Sequence, residues 1–140
     1  MTIEKLIVVS GKPGIFKIEN QSKTGLIVQS LTDDKKFPIL NIHNVSGLND
    51  IAIYTYEEEI PLREVFYNIY KKENGKKTIN HKESKKVLED FLESVLPNYD
   101  RERVYPSNIK KIVQWYNLLV DAGFDFETIP QKETVSQEEE

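Results

Sequence analysis

The chain has 140 residues, 39% of them hydrophobic and 30% charged, enough for one domain or two very small ones. Nineteen Lys and Arg against 23 Asp and Glu leave a formal charge of −4, so the molecule as a whole has no electrostatic footprint for nucleic acid, and any such contact must be local. The lack of cysteine excludes disulfides, thiol catalysis and thiolate metal sites, and two histidines, His43 and His81, are too few for a multi-histidine centre.

Near the start, the apolar run Leu6–Val9 is broken at once by Ser10, Gly11 and Lys12. That is too short for a signal peptide or a membrane-spanning helix, so the cytoplasm is the expected location. Up to Thr55 the periodicity is that of strands. Leu6–Val9, Gly14–Glu19 with Phe16 and Ile18 at period two, Gly25–Leu31, Lys36–Ile39 and Ile51–Tyr54 are separated by turn chemistry at residues 11–14, 20–25 and 32–35. Strands this short and this close predict consecutive antiparallel pairings that curl into a small barrel or a strongly bent sheet, since a flat sheet would expose too much edge.

From Glu57 the period changes to that of a helix. Pro61 suits a first helical turn, and Leu62, Val65, Phe66, Ile69 and Tyr70 form one apolar stripe ending at Gly75. A second helix is expected behind Asn80 or Ser84 as N-cap, carrying Val87, Leu88, Phe91, Leu92 and Val95 up to Pro97. The third opens at Pro106 or Ser107 and sets Ile109, Ile112, Val113, Tyr116, Leu119 and Val120 on one face, with Gly123 as its cap. Beyond Thr128 no apolar period remains and Glu dominates, which predicts a disordered acidic tail. The expected layout is α+β: a small antiparallel N-terminal barrel or bent sheet over residues 1–58, about three helices over 59–126, and the tail over 127–140.

Ser10–Gly14, Lys36–Pro38, Val45–Ser46 leading to Ile51–Thr55, Tyr70–Gly75, Val95–Asp100, Ile109–Ile112 and Trp115–Leu119 together resemble a conserved domain-of-unknown-function family of Bacteroidetes. The resemblance runs from about Leu6 to Phe124. It implies a bacterial lineage and a two-part layout, and it carries no assigned activity, hence no catalytic residues. The strand spacing of the first part is also similar to that of small SH3-like and KOW-type barrels, a likeness of fold that says little about function.

Ser10–Gly14 places two glycines and a lysine behind an apolar strand. Because strand residues Ile15 and Phe16 follow in place of a helix, it reads as a tight turn with Lys12 at its tip and not as a phosphate-binding loop. Asp33–Asp34 read as turn formers, Glu57–Glu59 as charges favouring a helix N-terminus, and Glu138–Glu140 as tail. His43 lacks any Ser-His-Asp spacing. No catalytic residue, metal site or cofactor is therefore assigned, and the chain is expected not to be an enzyme.

Two surfaces remain. Residues Lys71–Lys86 carry seven Lys against two Glu, the strongest charge asymmetry in the chain, with Lys76, Lys77, Lys82, Lys85 and Lys86 as candidate contacts to RNA or another anion. The segment has no arginine and no interleaved aromatics, so it reads first as a solvated connection. Trp115 and Leu118 lie at the margin of the third helix's buried stripe and, with Tyr105 just ahead of that helix, form the candidate partner surface. The outer face of the barrel around Lys12, Lys17 and Lys23 is a further option. The functional expectation is a non-catalytic cytoplasmic binding or adaptor protein with a protein partner. The alternative is an RNA- or ribosome-associated module using Lys71–Lys86. Neither a membrane nor a small-molecule ligand is expected.

Overall fold

Turn chemistry and period-two alternation build the first half. In the computed structural model, which describes residues 2–40 and 44–129, a short 3-10 turn precedes β1 (Leu6–Val9), β2 (Lys12–Ser22), β3 (Gly25–Ser30), β4 (Lys36–Leu40) and β5 (Val45–Gly47). All pairings are antiparallel, and the strand order is β4-β3-β2-β1-β5. Gly25 opens β3 opposite Leu40 at φ +157°, and a Cβ there would stand 2.0 Å from the Ile39 carbonyl oxygen, so only glycine lets the β3 and β4 backbones meet.

The sheet is strongly bent, which follows from chain length alone. Leu40 ends β4 at the Ser22 end of β2, whereas Val45 begins β5 beside Val9, at the Lys12 end. In a flat sheet these points would lie on opposite edges about 19 Å apart and a further ~33 Å apart along β2. Five peptide links reach at most ~18 Å. Register shifts between Ile18 and Asn20 and between Ile7 and Val9 mark where the added twist enters.

Inside the bend, Ile7, Val9, Phe16, Val28 and Ile39 form a first core, with Ile18, Leu26 and Phe37 packed on it. The opposite face of β1 and of the start of β2 offers Leu6 and Ile15 to a second, larger core shared with the helices. β1 is thus covered on both sides, which is why its sequence is an unbroken apolar run.

The expected strand Ile51–Tyr54 does not join this sheet. Ala52–Tyr54 (β6) pairs instead with Glu59–Pro61 (β7) in a separate hairpin, and β5 takes the place beside β1. Three residues, Val-Ser-Gly, carry no strand period, so β5 exists only because β1 supplies its hydrogen bonds. Glu57–Glu59 accordingly do not lie at a helix N-terminus: they belong to the hairpin, with Glu57 accepting a 2.8 Å hydrogen bond from Asn98, and Glu64 is the acidic residue in the first turn of the helix that follows. The boundary drawn between residues 58 and 59 falls inside this hairpin.

Helices α1 (Leu62–Lys72), α2 (Lys85–Val95) and α3 (Pro106–Asp121) follow the apolar stripes read from sequence, except that Val87, in the first turn of α2, is exposed. Ser84 caps α2 by accepting from the Val87 amide at 3.3 Å. At the end of α1 both Asn74 (φ 56°) and Gly75 (φ 81°) are left-handed, and the Gly75 amide reaches back to the Tyr70 carbonyl at 2.9 Å. After α3, Gly123 and Phe124 close the same kind of cap on Val120 and Leu119. The tail does not start at residue 127. Phe126–Thr128 form a 3-10 turn whose Phe126 stacks on Tyr70 with ring centroids 5.1 Å apart, and Ile129 is 2% exposed in the larger core. Residues 130–140, like His43, lie outside the described part. Ile129→Ala is expected to lower the unfolding free energy by about 2–3 kcal/mol in urea denaturation, where a residue in a solvated tail would give no change.

Candidate functional site

The third helix has two working faces. Ile109, Ile112, Val113, Tyr116 and Leu119 are buried. Rotated from them, Lys111, Gln114, Trp115 and Leu118 fall at i, i+3, i+4 and i+7 and form a second stripe that stays open to solvent or half-buried. Around this stripe the surface sinks into consecutive clefts.

The central cleft, about 470 Å³, lies between the β1–β2 turn (Ser10, Gly11, Lys12, Pro13 and Gly14) and Lys111, Gln114 and Trp115. Through Ile51, Lys111 and Trp115 it shares a wall with a second cleft of about 380 Å³ lined by Tyr54, Arg103 and Tyr105. Through Lys12 and Gln114 it shares another with a third of about 510 Å³, bounded by Phe16, Lys35, Phe37 and Leu118. Gln114 and Leu118 also reach a fourth, of about 320 Å³, beside Lys77, His81 and Asp121. From Asn108 to Asp121 the helix rises about 20 Å, which sets the length of the groove.

Neighbouring segments hold the walls in place. Asp100 accepts from the Glu102 amide at 2.9 Å and from Arg103 Nε at 2.8 Å, while its own amide donates to the Tyr54 carbonyl. The Arg103 guanidinium therefore lies over the Tyr54 ring, 4.3 Å from its centroid. The hydrogen bond from Arg103, aided by the Glu102 amide, holds the Asp100 carboxyl below the usual carboxylate range. Lys12 Nζ in turn stands 5.2 Å over Phe37, whose ring meets Phe16 edge-on.

The lysine segment is not a loose connection. Asn117 on α3 accepts from the Thr78 amide at 2.8 Å and donates to the Ile79 carbonyl at 3.0 Å, and the Tyr116 hydroxyl donates to the Lys76 carbonyl at 2.7 Å. Burial, with the Glu73 carboxylate nearby, pushes the Tyr116 phenol up to about 12, so it remains a donor at neutral pH. Lys77 pairs with Asp121 at 3.1 Å and Lys86 with Asp90 at 3.2 Å. Of the five candidate lysines all are exposed, but of the four clefts described only the fourth is bordered by one of them, Lys77, and Lys76, Lys82, Lys85 and Lys86 line none. The candidate partner residues do converge. Trp115 and Tyr105, which is 57% exposed, share the second cleft, with Leu118 farther along the same face.

Lys12, Lys35, Lys111, Arg103 and Tyr54 complete the groove and were not singled out together by the sequence. Their only local signal is one cation near an aromatic ring in each of several unrelated segments. Lys17 and Lys36 are tied to Glu19 on the sheet, so that surface is partly neutralised.

These features define a two-part α+β protein in which a bent sheet and three helices share a core. Residues 3–48 match the family described as a domain of unknown function (DUF5606), and residues 51–119 match a second domain of unknown function (DUF6852). A protein from Bacteroides vulgatus, whose solution NMR structure was determined as a structural-genomics target, is 42% identical, covers 89% of this chain over 89% of its own length, and superimposes with a TM-score of 0.74. No curated protein matches the chain. The chain belongs to the bacterial family built from these two domains, as its motifs indicated. The two matches abut between residues 48 and 51, where β5 and a 3-10 turn lead into β6.

Two measurements check this architecture. Asn117→Ala removes both side-chain bonds to the lysine segment and is expected to cost about 1–3 kcal/mol while accelerating hydrogen exchange at the Thr78 amide. The depressed Asp100 carboxyl stabilises the fold above its ordinary value of 3.8, and that contribution is lost as pH falls through the depressed one. Asp100→Asn should lower the thermal midpoint near pH 7 and flatten its decline below about pH 4.

Proposed function

We propose that this protein is a non-catalytic cytoplasmic binding module of the adaptor type, which seats its partner in the groove along α3. The observation that carries the reading is the stripe Lys111, Gln114, Trp115 and Leu118, which borders every one of the clefts described above. A helix that buries one face and offers a half-buried indole between two concave surfaces on the other has the geometry of an anchor site rather than of a solvated face. The lining beside Trp115 combines ammonium, amide, hydroxyl and ring groups with aliphatic side chains such as Val8, Ile51 and Ile112, a set suited to holding a ligand. No helix among the described residues is long and apolar enough to cross a membrane.

The alternative, RNA held by Lys71–Lys86, is weakened by the ion pairs that occupy Lys72, Lys77 and Lys86.

Affinity capture of the tagged full chain from its source cells at low salt, with and without nuclease, tests the site. Trp115→Ala and the exposed variant Lys111→Glu are expected to reduce partner recovery at least tenfold with an unchanged circular dichroism spectrum. Simultaneous change of Lys76, Lys77, Lys82, Lys85 and Lys86 to Gln should leave recovery intact. The opposite pattern would move the site to the lysine segment.

A further inference from the structure

Resting on the groove reading, we infer that the ligand is a single-stranded nucleic acid, its bases stacked on Trp115 and the rings of Tyr54 and Tyr105, its phosphates tracked by Lys35, Lys12, Lys111 and Arg103. On a chain of net charge −4, the first three clefts, which share walls with one another in a row, are lined by these four cations and by one carboxylate, Asp33. Among the described residues Lys12, Lys35 and Lys111 have no ion-pair partner, so their charge is available to a ligand.

Cations and rings also alternate along the groove. Lys35 and Lys12 border Phe37, Lys111 and Trp115 share the central cleft, and Arg103 lies against Tyr54 beside Tyr105. Tyr54 is 40% exposed and Tyr105 57%, so π surface remains to be covered. A row of charges interleaved with exposed π faces over about 20 Å suits a strand that carries one phosphate and one flat base per step. An acidic peptide would use the charges and leave most of the rings without a matched partner. Duplex is disfavoured, because base faces reach aromatic side chains only when unstacked.

Trp115 is the sole tryptophan, so its fluorescence reports on the site directly. The full chain is titrated with an oligouridine of about eight nucleotides, within the ~4–16 nucleotides that a small single-strand site covers. Parallel titrations use uridine 5′-monophosphate, a duplex of equal length and a glutamate-rich peptide. The expected result is saturable quenching by the oligonucleotide alone, with log K falling against log salt at a slope of about −2 to −3, as three or four phosphate contacts require. Changing Lys12 and Lys111, both exposed, to Gln should reduce that slope by about 1.4. Trp115→Phe, read by fluorescence polarisation of a labelled strand, should keep binding, and Trp115→Ala should weaken it about tenfold.

Absence of oligonucleotide binding at low salt overturns the inference. If Lys111→Glu still abolishes partner capture in that case, the groove reading stands without it. Binding of the acidic peptide in place of the strand, with the same sensitivity to Lys12 and Lys111, assigns the groove to an acidic protein segment and also overturns it. Oligonucleotide binding that depends on Lys76, Lys77, Lys82, Lys85 and Lys86 but not on Lys12 or Lys111 removes both readings.

Discussion

Burial of β1 on both faces is the constraint on which the rest of the molecule depends. Ile7 and Val9 face the interior of the bent sheet, and Leu6, from the same four-residue strand, is fully enclosed by the core that the helices build. A strand held this way cannot shift by one residue without exchanging the two sets of side chains, so its register ties the two halves together. Ile3, Ile15 and Leu48 extend the same junction. Two family domains meet here through a continuous apolar interior and not through a linker.

That junction also sets where the β1–β2 turn emerges. With Leu6 and Ile15 anchored against the helical core, residues 10–14 are delivered to the open face of α3 beside Lys111 and Trp115. The far wall is set by a different device. The Asp100 carboxylate organises the turn that follows α2, and its amide hydrogen-bonds to the β6 carbonyl of Tyr54, so the hairpin and Arg103 are fixed relative to each other. α3 lies between these supports and needs no rearrangement to present its stripe. A preformed groove of this sort loses less ordering entropy when a ligand binds than a surface assembled from mobile loops.

The electrostatics of the molecule are divided. Several lysines on its outer surface are neutralised by carboxylates nearby, as in Lys17 and Lys36 with Glu19, Lys77 with Asp121 and Lys86 with Asp90. Exposed pairs of this kind contribute little to stability, but they cancel field at the surface. The cations around the β1–β2 turn are left out of that cancellation. Lys12, Lys35 and Lys111 thereby keep a short row of uncompensated charge along the groove of an acidic protein.

The sequence by itself determined the helices, because their information is local. A 3.6-residue apolar stripe, Ser84 as a cap and Gly123 as a stop each act within a turn or two of chain, and they produce α1, α2 and α3 wherever those helices are packed. The marginal position of Trp115 and Leu118 was legible for the same reason, being a rotation about one helix axis. β5 was not legible, since Val45–Gly47 becomes a strand only through hydrogen bonds to β1, and Ile51–Tyr54 was drawn into the wrong sheet because its alternation fits either partner. The tail limit was misplaced for a similar reason: Ile129 has no periodic neighbours and is held by distant side chains of the larger core. The groove is the extreme case. Lys12, Tyr54, Arg103 and Trp115 come from four segments spread over about a hundred residues. Only the tertiary structure decided that they meet, because burying β1 between two cores fixes which surface each segment can reach.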